Sequence, residues 1–398
     1  MCLCRGVEVA DIFRRHGPEY RKAHCLPLHH LRAMHAVEIC RTAALGGHKD
    51  RCEDCGHIEI SYNSCRNRHC PKCQTLRKER WIEARGQDLL PVQYFHVVFS
   101  IPSELNPLVI MNQRVLYDLL FRSVSETLLE LSDNPKHLGA RIGFIAILHT
   151  WGQNLMDHPH IHCVVPGGGL SPDRSRWVPS PKRFFIHVKA MSKLFRGKFL
   201  DYLKDHYESG DLAFPGGIAY LGHPGAFSAL CSRLYHKRWV VYCKPPFNGP
   251  EGVLQYLGRY THRIAISNNR ILSLQDGMVS FRWRDYADGD TQKIMTVKAE
   301  EFIRRFLLHV LPHRYVRIRH FGLLANRNCK DHVALCRELL GSGTILIKEK
   351  DPEETWQEQL QRICGIDVTA CPVCRKGRML LIELLPPCRC HNPPEHRR

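Results

Sequence analysis

Two Cys-x2-Cys pairs, Cys52/Cys55 and Cys70/Cys73, stand 14 residues apart near the start of the chain, and they restrict local folding more than any other feature. Each pair turns two sulfurs toward one ion, so two pairs at this spacing predict a four-cysteine zinc ribbon formed by Cys52, Cys55, Cys70 and Cys73. Free structural cysteines are the bland alternative. Cys65 and His69 lie between the pairs, and His48 and His57 flank the first, so a second ion or ligand exchange is open. Arg66, Arg68 and Lys72 stand in the same loop as candidate phosphate contacts, weighed against a merely solvated basic loop. Near the other end, Cys371-Pro372-Val373-Cys374 precedes an apolar strand at Met379–Leu385 and then Cys388, Cys390 and His391. A second ribbon is expected there, with Cys388 and either Cys390 or His391 completing it.

Nineteen cysteines would ordinarily suggest disulfides. The N-terminus lacks a signal-peptide core and no apolar run reaches the roughly 18 residues of a membrane span, so the expected location is cytoplasmic, with no membrane partner. Disulfides are rare in that compartment, which favours metal ligation. Lys and Arg outnumber Asp and Glu by 57 to 39, for a net charge of +18, as suits a phosphate-rich partner. A ribosomal or membrane-surface protein could be equally basic.

Periodicity outlines the rest. Asp11–Arg41 reads as a helical start, and Leu76–Leu90 as a charged linking helix. Tyr94–Ile101 is a strand stopped by Pro102, followed by an amphipathic helix at Arg114–Leu131 and strands at Ile142–Leu148 and Ile161–Val165. That β-α-β-β order predicts an α+β fold: a central antiparallel sheet with helices on its faces, plus small cysteine-rich modules. Val188 to Arg238 is mostly helical and reads as an insertion; Trp239–Cys243 and Val279–Trp283 read as strands, and Glu300–Leu311 as a helix ended by Pro312. The domains expected are 1–85 (zinc-binding, DNA-contacting), 90–330 (central, with the helical insertion at 188–238) and 331–398 (with the second ribbon).

Two motifs carry chemistry. On a strand, alternate residues share a face, so His160 and His162 project side by side while Ile161 enters the core. Two imidazoles with an oxygen ligand would suit Mn²⁺ and accept Mg²⁺. A polar strand face is the bland reading, weakened by the buried-looking Val164-Val165 and the turn Gly167-Gly168-Gly169. Tyr256 and Tyr260, four apart, share one face of a helix, with Arg259, His262 and Arg263 beside them. Aromatic packing is the default for such a pair, but the cations suit a phosphate-bearing partner. A phenol with a pKa of about 10 needs a metal or base to become a nucleophile. There is no Gly-x4-Gly-Lys-Ser/Thr phosphate loop, consistent with chemistry that consumes no nucleotide.

With these segments in view, the chain resembles a known family. His158-Pro159-His160-Ile161-His162-Cys163, Lys244-Pro245-Pro246-Phe247, Tyr256-Leu257-Gly258-Arg259-Tyr260-Thr261-His262-Arg263 and Arg317-Ile318-Arg319-His320-Phe321-Gly322-Leu323-Leu324-Ala325-Asn326 resemble the two-tyrosine HUH transposases of the insertion-sequence-ninety-one family. The likeness runs from about Cys52 to about Asn326. It implies a sheet of HUH-nuclease type and rolling-circle-like transposition of single-stranded DNA at element ends and target. His160 and His162 would hold the catalytic Mg²⁺ or Mn²⁺, and Tyr256 and Tyr260 would form 5′-phosphotyrosine intermediates. A Glu, Gln or His completes the metal site in related nucleases; Gln153, His149 and His158 are the candidates, with Gln153 the first choice. Arg259 and Arg263 would bind DNA. A host helicase is a candidate partner, and the absence of a helicase motif argues against a combined initiator-helicase. Two alternatives stand beside this reading: a zinc-knuckle nucleic-acid-binding protein without catalysis, and a plasmid relaxase or replication initiator using the same chemistry.

Overall fold

The structure is a computed structural model that describes residues 6–73, 75–181, 185–247, 252–253, 265–285, 288–341, 354–365 and 367–388. In chain order the helices are α1 (Val9–Ala23), α2 (Leu28–Ile39), α3 (Thr75–Gly86), α4 (Asn106–Met111), α5 (Gln113–Asp133), α6 (Val188–Glu208), α7 (Pro224–His236), α8 (Ala299–Leu308), α9 (Cys329–Leu339) and α10 (Trp356–Cys364). The strands are β1 (Gly47–Cys52), β2 (Ile58–Tyr62), β3 (Tyr94–Ser100), β4 (Gly143–Trp151), β5 (Asp157–Pro166), β6 (Gly168–Leu170), β7 (Trp177–Pro179), β8 (Val240–Phe247), β9 (Ile271–Gln275), β10 (Met278–Asp285), β11 (Thr291–Lys298), β12 (Ile318–Gly322) and β13 (Met379–Leu385).

The chain forms two compact units, each assembled from separate segments: 1–81, 262–310 and 348–398 in one, 82–261 and 311–347 in the other. The segments of these units do not follow chain order, unlike the domains expected at 1–85, 90–330 and 331–398. Compositional boundaries follow the chain, whereas strand pairing and core contacts bring distant segments together.

The second unit is built on a five-stranded antiparallel sheet in the order β12-β4-β5-β3-β8, and the fold is α+β as its alternation of elements predicts. Alternate residues of the inner strands (Phe95, Val97 and Phe99; Phe144, Ala146 and Leu148; Ile161, Cys163 and Val165) are buried in one core with α5 and α6. Each such side chain contributes roughly 1.5–3 kcal/mol by leaving water. The stretch expected as a helical insertion, 188–238, packs into that core: Phe195 and Phe199 of α6 pack edge-on against Trp239 at 5.2 Å, and Phe195 meets Phe99 at 5.2 Å. Lying between β4 and β3, β5 is buried from Pro159 to Pro166. Proline cannot donate to the ladder, and the β4–β5 register slips at His158 and Pro159, between the pairs His149/His160 and Trp151/Asp157.

In the first unit, the helical start is two helices. Pro27 fixes an extended conformation and disfavours helix at Leu26, so α1 ends at Ala23 and α2 begins at Leu28. Phe13 of α1 packs edge-on against Phe306 of α8 at 5.1 Å, and the β9-β10-β11 meander leads into α8. A separate sheet has the order β13-β1-β2, so the last strand pairs with one of the first.

Candidate metal centre and cysteine clusters

The face of the central sheet opposite the helix-packed core carries the histidines. Antiparallel register sets His149 of β4 directly across from His160 of β5, with His162 two residues further on the same face. One ring nitrogen from each of His149, His160 and His162 lies within 4.8 Å of the others, and all three residues are buried. Gln153, the first choice from sequence, stands in the β4–β5 turn; the structure brings His149 to the pair. His158 is exposed, with its ring 4.9 Å from that of His160.

Hydrogen bonds orient these rings. His160 Nδ1 bonds the His158 carbonyl oxygen at 2.6 Å, so Nδ1 carries the proton and Nε2 the lone pair. His162 Nδ1 lies 2.8 Å from Nε2 of His96 on β3, whose ring is stacked parallel to it. Burial, then Lys244 and His160 nearby, brings His96 down to about 3. Burial, then His158, brings His160 to about 3. Both rings are neutral at pH 7, the state in which imidazole ligates metals. His160, held through Nδ1 by a carbonyl, and His162, held through Nδ1 by another ring, are oriented as imidazole ligands of a divalent transition ion are. Sequence reasoning missed His96, although its even-numbered position on a strand of known alternation was a usable signal.

The cysteines group differently from the predicted ribbons. Cys70 and Cys73 converge with Cys40, just after α2, and with Cys65; the Cys73 sulfur lies 3.4 Å from that of Cys40 and 3.6 Å from that of Cys65. Cys52 and Cys55 converge instead with Cys371 and Cys374. The structure thus places Cys52 and Cys55 with Cys371 and Cys374 and not with Cys70 and Cys73, and Cys388 is not in either group. The reason is the β1–β13 pairing, which delivers the C-terminal pair to the N-terminal one. Cys388 is exposed, and His391 lies outside the described residues.

Of the loop cations, Arg66 is exposed and Arg68 half-buried. Lys72 differs from expectation: its ammonium pairs with Glu8, with side chains only 9% and 14% exposed, so it holds α1 to the cysteine loop. Tyr256, Tyr260, Arg259 and Arg263 lie outside the described residues.

Comparison with known proteins bears on this arrangement. A family model described as "Putative transposase" matches residues 143–332, and one described as "Transposase zinc-binding domain" matches residues 12–101. "Putative transposase y4qJ" of Sinorhizobium fredii is 50% identical over 380 residues, covering 95% of this chain and 96% of its own. The chain belongs to the insertion-sequence-ninety-one (IS91) transposase family. A second relative of this transposase, the "Transposase for insertion sequence element IS801" of Pseudomonas savastanoi pv. phaseolicola, is 28% identical over 339 residues, 84% of this chain and 79% of the relative. No solved structure matches. The zinc-binding match spans Cys40, Cys52, Cys55, Cys65, Cys70 and Cys73, and together with the cysteine clusters it supports structural zinc. Among the described residues, no helix is long and apolar enough to cross a membrane.

Proposed function

We propose that this transposase nicks and rejoins single-stranded DNA at insertion-sequence ends through 5′-phosphotyrosine intermediates on Tyr256 and Tyr260. The observation that carries the reading is the buried triad His149, His160 and His162. A divalent ion held there would polarise a scissile phosphate and stabilise the charge of in-line displacement. His149, His160 and His162 would supply nitrogen donors, with His160 neutral and oriented by the His158 carbonyl. Each tyrosine oxygen would form a bond to phosphorus as the bond to the 3′ oxygen breaks, leaving a free 3′-OH. The phosphodiester's energy stays in the adduct, so rejoining needs no nucleotide. Arg66, Arg68, Arg259 and Arg263 are assigned to phosphate contacts, and a host helicase to strand opening. Cys40, Cys65, Cys70 and Cys73 would hold structural zinc.

Three imidazoles form a softer donor set than two with an oxygen, which favours Mn²⁺ over Mg²⁺. With an oligonucleotide carrying the element's end, the protein in Mn²⁺ should become covalently attached to the 5′ phosphate of the fragment lying 3′ of the cut, and faster than in Mg²⁺. Adducts that persist in the Tyr256→Phe/Tyr260→Phe double variant, or in His160→Ala, would refute the assignment. Binding without cleavage in every divalent metal would favour a noncatalytic nucleic-acid-binding protein.

A further inference from the structure

We infer that Cys52, Cys55, Cys371 and Cys374 form a second zinc site that ties the C-terminal segment to the N-terminal module. Neither family match reaches Cys371 or Cys374. Three features support the site.

The first is sulfur geometry. All four sulfurs lie within 4.8 Å of one another, and Cys52–Cys374 and Cys55–Cys371 are each 3.7 Å apart. A zinc–sulfur bond of about 2.3 Å implies a tetrahedron whose edges are about 3.8 Å. Disulfide sulfurs would stand at about 2.05 Å.

The second is the matching form of the two knuckles. The Cys55 N–H points at Cys52 Sγ at 3.5 Å, and the Gly377 N–H points at Cys374 Sγ at 3.4 Å. Backbone donors aimed at sulfur stabilise the thiolate, which is the ligating form. In each knuckle a residue with positive φ follows the second cysteine, Gly56 at 71° and Arg375 at 57°.

The third is the fit between the two segments. A Cβ on Gly377 would stand 2.6 Å from Cys52 Sγ, so only glycine allows this approach. The Glu53 N–H donates to the Arg378 carbonyl at 3.1 Å, and the Arg378 N–H donates to Glu53 Oε1 at 3.1 Å. From there the β1–β13 ladder runs from Cys52/Met379 to Gly47/Leu385. Ligation releases the thiol protons and closes a loop of more than 300 residues between Cys55 and Cys371.

The test uses the full-length protein purified with zinc, alkylated under native conditions and mapped by mass spectrometry. Cys55 is exposed, as are Cys25 and Cys388, so burial alone does not shield it. Cys55, Cys52, Cys371 and Cys374 should resist alkylation together while Cys25 reacts, and a chelator should release all four together. In a Cys371→Ser/Cys374→Ser variant, bound zinc should fall by one ion per chain, and Cys52 and Cys55 should become reactive while Cys70 and Cys73 stay protected. If that variant fails to fold, the wild-type protection pattern decides alone. The site is overturned if Cys55 reacts as fast as Cys25, or if Cys371 and Cys374 are protected while Cys52 and Cys55 are not. It is also overturned if Cys70→Ser/Cys73→Ser exposes Cys52 and Cys55 while leaving the C-terminal pair protected, or if the four prove to be disulfide-linked.

Discussion

His149 shows what a single residue's position in sequence can and cannot convey. His160 and His162 were legible because strand alternation is local, two residues apart on one face. The third histidine sits across the ladder, and which residue of β4 opposes His160 depends on a register set by the slip at His158 and Pro159. Gln153 looked equally near from the sequence. His149→Ala is therefore expected to abolish Mn²⁺-dependent adduct formation by at least 100-fold, as expected when an essential group is removed, whereas Gln153→Ala should retain most of it. The reverse ranking in a single-turnover cleavage assay would return Gln153 to the site. Asp157 offers an independent case. Both of its carboxylate oxygens are buried without a hydrogen-bond partner among the described residues, and burial lifts its pKa to about 7. Because the folded value is the higher, the stability linked to its proton is fully present at low pH and declines as pH rises from about 4 toward 7. Asp157→Asn mimics the protonated form, so it should raise the melting temperature above pH 7, by on the order of 1–3 kcal/mol in stability, and progressively less below pH 6. A gain that does not change with pH would exclude an ionisation origin.

At the scale of elements, the strands and helices of the central sheet follow from periodicity, because each buries one face in a continuous core. What periodicity misses is pairing between elements far apart in the chain. Met379–Leu385 was legible as a strand, yet nothing local in its sequence says that it adds to β1. The cysteine pairs were likewise legible as candidate ligands, and proximity along the chain suggested partners other than those the structure brings together. Gly377→Ala tests this junction without removing a ligand. The added methyl group would meet Cys52 Sγ and the side chain of Asp54, so the β1–β13 junction must shift. Stability is expected to drop by about 1–3 kcal/mol, as in other overpacked sites. Hydrogen exchange should accelerate in Met379–Leu385 while β3 to β5 stay protected. Unchanged exchange in β13 would mean that the approach of the two segments is not tight. Lys72 belongs at this scale too, since its ion pair with Glu8 fastens α1 to the cysteine loop. Lys72→Ala should destabilise that module by roughly 1–3 kcal/mol, the worth of a charge-assisted hydrogen bond between largely buried side chains. It should leave the salt dependence of DNA binding nearly unchanged, whereas Arg66→Ala should make that dependence shallower.

For the whole molecule, composition announced a basic, metal-rich protein, but not that two compact units interleave along the chain. Every residue of both cysteine clusters belongs to the unit formed by 1–81, 262–310 and 348–398, and the histidine triad belongs to the other. This partition leads to a distinct response to metal loss. A structural zinc contributes an apparent 10–16 kcal/mol in small folds, comparable with the roughly 5–15 kcal/mol that holds a whole domain together. Removing zinc with a thiol-competitive chelator should therefore unfold much of the cysteine-bearing unit. The sheet of β12, β4, β5, β3 and β8, whose core is mainly aromatic and aliphatic, carries no cysteine cluster among the described residues. Hydrogen exchange followed by mass spectrometry should show protection collapsing in β1, β2 and β13 at chelator concentrations where β4 and β5 remain slow. Readdition of zinc should restore it. Simultaneous loss of protection in both units would mean that they unfold cooperatively, and no loss in either would mean that the cysteine clusters do not support the fold through metal.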